Sequence, residues 1–130
     1  MDAMKAANMA IETIREFVRG ERDWGVLTSL GVSVELNDSS LRLEEPPNLP
    51  IYEASVVDVA TGFLAQWARG RTLQAWARIL LGTGMVDLAC LEDHREGELL
   101  LEAVWSGAEG AEFSDETLDL IRGLLRSDRG

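Results

Sequence analysis

Val56-Val57-Asp58-Val59-Ala60-Thr61-Gly62-Phe63-Leu64-Ala65-Gln66-Trp67 is the stretch on which the fold class turns. Val56, Val59, Ala60, Phe63, Leu64 and Trp67 stand at i, i+3, i+4, i+7, i+8 and i+11, the stripe of a helix with one buried face. The spacing predicts a helix that begins near Glu53 and is closed by Gly70. Directly after it, Leu73, Trp76, Ala77, Leu80 and Leu81 make a second stripe of the same period, with Thr72 as the expected N-cap. Gly82-Thr83-Gly84 reads as a helix break, and the apolar run Met85, Val86, Leu88, Ala89 and Leu91 as further buried helix. Asp93-His94-Arg95-Glu96 fits a capping box, opening a helix with Leu99, Leu100, Ala103 and Val104 that ends at Gly107. A last helix follows Ser114, with Phe113 placed to staple onto Leu118, and with Leu118, Ile121, Leu124 and Leu125 facing inward. Residues 127–130 are expected to fray.

The N-terminal side reads in the same way at first. Ile11, Ile14, Phe17 and Val18 predict a helix over Met4–Arg19, ended by Gly20, and a short one carries Trp24, Leu27 and Leu30 to Gly31. The period then changes. Val32, Val34 and Leu36 alternate with polar residues, Asn37-Asp38-Ser39-Ser40 supplies a turn, and Leu41 and Leu43 alternate again. This predicts a hairpin over about residues 32–45, lying on the helices because an isolated hairpin is marginal in water. Pro46-Pro47-Asn48-Leu49-Pro50 is an extended connector. The expected architecture is a single α-rich α+β domain over residues 1–130, with five or six packed helices and one small hairpin.

Composition bounds the chemistry. At 130 residues and 46% hydrophobic, the chain can build one core without disulfides or metal. Its single Cys90 excludes an internal disulfide and any zinc site of several thiolates from this chain. No apolar run approaches the ~18 residues of a membrane span, and Met1-Asp2-Ala3-Met4-Lys5 lacks the flank of a signal peptide, so no membrane association and a cytosolic location are expected. Lys5 is the only lysine among 12 basic residues, and this Arg bias, with abundant Ala, Gly and Leu, points to a GC-rich bacterial genome. The net charge of −11 repels phosphate backbones, which argues against direct nucleic-acid binding.

Candidate catalytic groups are few. Cys90 and His94 would be neighbours on a continuous helix, with Asp87, Glu92 and Asp93 close by. Zinc would still need a distant fourth ligand, and a thiol–imidazole pair would need an orienting group and oxyanion donors. The simpler reading is a small buried thiol and a solvated histidine at a helix start, so no metal, no cofactor and no catalytic residue is assigned. Gly82-Thr83-Gly84 lacks the third glycine and the lysine of a phosphate loop. Trp67 and Trp76 lie on apolar stripes and are expected in the core, whereas the stripes do not place Trp24 and Trp105.

Charge layout is the most informative feature. Residues 1–82 carry a net −3, residues 83–121 a net −10 with Arg95 as their one base, and residues 122–130 a net +2. At about 100° per residue Glu98 and Glu102 share a helix face, with Trp105 on the same flank. The expected contact surface is Glu98, Glu102 and Trp105, with Asp87, Glu92, Glu109 and Glu112 around them, facing a basic partner. The alternatives are acids that merely solvate a small protein, a homo-oligomer or assembly subunit joined through exposed apolar residues, and a mimic of nucleic-acid charge.

Leu73-Gln74-Ala75-Trp76-Ala77-Arg78-Ile79-Leu80, with Leu91-Glu92-Asp93-His94-Arg95-Glu96-Gly97-Glu98 and Ala103-Val104-Trp105, resembles the small acidic immunity proteins of high-GC bacteria. The resemblance covers a small part of the chain, contains no diagnostic motif and transfers no functional residue. It implies a non-enzymatic protein that binds a toxin domain, often a basic nuclease, and blocks it.

Overall fold

The computed structural model describes residues 3–37, 40–70 and 72–127. Its elements in chain order are α1 (Ala3–Val18), a 3-10 helix (Trp24–Leu30), β1 (Ser33–Leu36), β2 (Leu41–Glu44), β3 (Tyr52–Glu53), α2 (Val56–Ala68), α3 (Leu73–Gly82), β4 (Val86–Asp87), α4 (Ala89–Glu92), α5 (Arg95–Ala108) and α6 (Asp115–Ser127). This is the α-rich α+β class. No helix among the described residues is long and apolar enough to cross a membrane.

The helical stripes meet in one core. Ile14, Phe17 and Val18 of α1, Val59 and Phe63 of α2, and Trp76, Ile79 and Leu80 of α3 are fully buried there. Trp76 lies at its centre, edge-on to Phe63 at 6.5 Å between ring centroids, and its indole N–H donates to the Phe17 carbonyl at 3.2 Å. That bond resolves the problem of burying an indole. Gly62 lets α1 and α2 touch: a Cβ there would run into the Val18 carbonyl and lie 2.8 Å from the Trp76 ring. Gly20 (φ 73°) and Gly70 (φ 80°) follow α1 and α2 in the left-handed region, as the sequence predicts.

The hairpin forms in the expected place, with Val34 opposite Leu43 and Leu36 opposite Leu41. These four are half-buried and form part of the core margin, beside Gly82 at the end of α3. Glu45 fixes the hairpin's exit: its carboxylate accepts from the Thr83 hydroxyl at 2.8 Å and the Gly84 N–H at 3.0 Å. Asp38 and Ser39 of the predicted turn, and residues 128–130 of the tail, lie outside the described residues.

Four expectations are corrected. The helix expected from Glu53 begins at Val56, because Ser55 and Asp58 form a reciprocal capping box there. The freed residues Tyr52 and Glu53 pair in parallel with Val86 and Asp87, so the apolar run after Met85 is a short strand and then a one-turn helix. Thr72 stands at the N-cap of α3 as expected but makes no side-chain capping bond; its hydroxyl donates to the Gln66 carbonyl at 3.4 Å. The N-cap of α5 is His94 rather than Asp93, without a side-chain bond.

Candidate functional site

Helix α5 has two narrow faces. Gly97, Leu100, Val104 and Gly107, spaced three and four apart, point into the molecule and are buried. At Gly97 the absent Cβ leaves room for the Leu91 carbonyl of α4. The other end of the helix is held by α3: Arg78 Nε donates to the Ala108 carbonyl at 3.0 Å and Gln74 Nε2 to the same oxygen at 3.3 Å. A guanidinium at a helix C-terminus also meets the negative end of the helix dipole. The opposite face carries Glu98, Glu102, Trp105 and, at the C-cap, Glu109, all exposed. Trp105 is 55% accessible, which settles the side of the helix on which it lies.

Helix α6 starts as predicted, with the Ser114 hydroxyl accepting from the Thr117 N–H at 3.2 Å. Phe113 packs edge-on against Phe63 at 5.1 Å. Leu118 and Ile121 are buried and α6 packs chiefly on α2, whereas α5 packs chiefly on α3. Because the two helices take different neighbours, a groove of about 540 Å³ opens between them. Leu100, Ala103, Phe113, Ile121 and Leu124 contribute its apolar lining, and Glu96, Glu102 and Glu112 its carboxylates. A second, smaller depression holds Arg95, Glu98, Leu101 and Trp105, and shares Leu99 and Glu102 with the first.

Of the seven sequence-predicted contact residues, Glu98, Glu102, Trp105 and Glu112 line these two adjoining depressions. The other three line neither. Glu92 is exposed at the end of α4, and Glu109 at the end of α5. Asp87 is half-buried on β4, where its carboxylate accepts from the Ala89 N–H at 2.8 Å. Leu99, expected on the apolar stripe of its helix, is instead 48% exposed and lines the groove, as does Leu120, 60% exposed, which the sequence reading did not single out. The only signal for Leu120 was an apolar residue off the phase of its stripe.

Arg95 shares the second depression with Glu98 and Glu102, and the arginines found in ion pairs lie mostly elsewhere. Arg15 pairs with Glu12, Arg19 with Asp58 and Glu21, Arg22 with Glu16, and Arg42 with Glu44. Among the described residues, Asp119 is the one acid of residues 83–121 in an ion pair, 2.9 Å from Arg122.

The remaining candidates separate. Cys90 is exposed, not buried, and the helix breaks between it and His94, so the two do not share one continuous helix. Among the described residues no group of three or more His, Cys, Asp and Glu is arranged to hold a metal. Trp67, expected in the core, is 37% exposed because its turn of α2 lies past the last buried residue, Gln66. Sequence reasoning missed the buried Asp58. One carboxylate oxygen accepts from Arg19 at 2.8 Å, and the other from the Tyr52 hydroxyl at 2.5 Å and the Ser55 N–H at 3.2 Å. Burial alone would raise its pKa, but the bonds from Tyr52, Arg19 and Ser55 outweigh it and hold the carboxyl below the usual range. A carboxylate so fully bonded ties α1, β3 and α2 together and is not free to take a proton from a substrate.

The chain matches no known protein-family model, and neither a curated protein nor a solved structure shows significant similarity to it.

Proposed function

We propose that the chain is a non-enzymatic binding protein, an immunity or inhibitor protein that neutralises a basic bacterial toxin domain, with a nuclease as the leading candidate. One observation carries this reading: among the described residues Asp119 is the one acid of residues 83–121 in an ion pair, while Arg15, Arg19, Arg22 and Arg42 pair with acids of the N-terminal half. Such a surface holds a negative potential that raises the encounter rate with a cation-rich partner by about 10–10³-fold. Trp105, exposed beside Glu102, supplies the large apolar contact on which binding free energy concentrates. A phosphate backbone is disfavoured by the same potential, so the partner is a protein.

The second reading, a homo-oligomer, is favoured by the exposed Leu99 and Leu120. Salt separates the two, because steered binding to an acidic surface weakens with ionic strength and apolar self-association does not.

The test is Glu98→Lys/Glu102→Lys. Both side chains are exposed, so the circular-dichroism spectrum should stay close to the parent's and the melting temperature should not fall. Affinity capture from a bacterial lysate at low salt should retain a cationic protein on the parent and lose it on the variant. The association rate of that protein, measured at a surface, should drop by about tenfold or more. Equal capture and equal rates would remove the acidic face as the contact surface.

A further inference from the structure

Resting on the reading above, we infer that the groove between α5 and α6 seats a cationic amphipathic helix of the partner protein, its apolar stripe on the groove floor and its Lys and Arg side chains against the rim. The floor is apolar, with Leu100, Ala103, Phe113 and Ile121 among its residues. The two walls each present a leucine to solvent, Leu99 from α5 and Leu120 from α6. Neither is needed by the core, and both border the opening between the helices.

The rim decides the occupant. Glu96, Glu102 and Glu112 line the groove, and among the described residues no Lys, Arg or His does. An anionic amphiphile, such as a fatty acid, would bring its headgroup against these carboxylates. A neutral apolar ligand would leave them without a counterpart. A helix with apolar residues at i, i+3, i+4 and i+7 and basic residues beside them satisfies both surfaces at once, and laying such a helix in a groove is an established mode of recognition. The dimensions agree. Helix α5 has 14 residues and so runs about 21 Å, which three to four turns of a bound helix would follow. The adjoining depression extends past Leu99 with Glu98 and Trp105, and there Arg95 adds one positive charge.

The probe is a fluorescein-labelled 16-residue peptide with Leu and Ile at helical spacing and Lys and Arg on both flanks. A scrambled peptide of the same composition, with the stripe destroyed, is the control. Binding to the full chain is read by fluorescence anisotropy at low salt, and its position by amide shifts. The amphipathic peptide should bind about tenfold tighter than the scrambled one. Leu99→Ser/Leu120→Ser should abolish that preference, and Glu102→Lys/Glu112→Lys should weaken both peptides. Shifts should concentrate on α5 and α6. Equal binding of the two peptides, unaffected by the leucine variant, would overturn the groove while leaving the acidic-surface reading intact. No binding of either peptide would remove both. A concentration-dependent dimer of the chain alone, broken by Leu99→Ser/Leu120→Ser, would assign the groove to a second copy and overturn the proposal.

Discussion

Asp58 is a charge that the core margin can hold only because every lone pair facing the protein is used. Replacing it with Ala would leave Arg19 half-buried without its 2.8 Å partner and the Tyr52 hydroxyl without its acceptor. Removing one partner of a buried pair costs about 3–5 kcal/mol, and Asp58→Ala should lose stability of that order in urea unfolding. Tyr52→Phe removes one hydrogen bond to a charged acceptor and should cost less, about 1.5–3 kcal/mol. The pH dependence follows from the directions of the two shifts. The pKa of Asp58 is lowered in the fold, so its contribution is full above the unfolded value near ~3.9 and is lost as pH falls through the folded one. Burial and the bond to Asp58 push Tyr52 up to about 12. Its contribution is therefore full below the unfolded value near ~10 and is lost as pH rises through the folded one. Stability should be level between about pH 5 and 9 and fall on both sides, and Tyr52→Phe should flatten the alkaline limb. An alkaline limb unchanged in that variant would mean that the hydroxyl does not contribute.

Among the elements, the contact of α1 with α2 is the least tolerant of change. Gly62→Ala places a methyl group against the Val18 carbonyl and the Trp76 ring, neither of which can retreat without moving a helix. The expected loss is about 3 kcal/mol, at the upper end for overpacking, read as a lower midpoint in urea with the slope unchanged. A neutral Gly62→Ala would show that the two helices can separate freely. The stripes that build this contact were legible in the sequence because each helix buries one face against a common core, and a 3.6-residue period records that directly. The hairpin was legible for the same reason at period two. The strands Tyr52–Glu53 and Val86–Asp87 were not, because each is two residues long and is defined only by a partner far along the chain. Thr72 carries the right side chain for a cap but turns its hydroxyl back to Gln66, a choice made by tertiary placement. The candidate site divides similarly. The concentration of acids could be counted in the sequence, whereas the groove exists because α5 and α6 rest on different helices, and local periodicity does not encode that.

For the whole molecule, the charge layout acts on stability before any partner is present. Glu102 is four residues from Glu98 in the middle of α5, beyond the first turn where the helix dipole favours acids. A like-charged pair at this spacing costs a few tenths of a kcal/mol. With a net charge of −11 and, among the described residues, only Asp119 of the acids of residues 83–121 in an ion pair, the folded chain repels itself. Salt shortens the screening length from about 30 Å at 0.01 M to about 8 Å at 0.15 M, so it weakens this repulsion more than it weakens the few close ion pairs. The melting temperature should therefore rise with sodium chloride over that range. Glu102→Gln should melt higher than the parent at low salt, and the gap should close as salt is added. Partner binding should move in the opposite sense, tightest at low salt and weaker as the same field is screened. These opposed slopes follow from one potential. A melting temperature that falls with salt would mean that stabilising pairs dominate, and the surface would then lack the free negative charge on which binding to a basic partner depends.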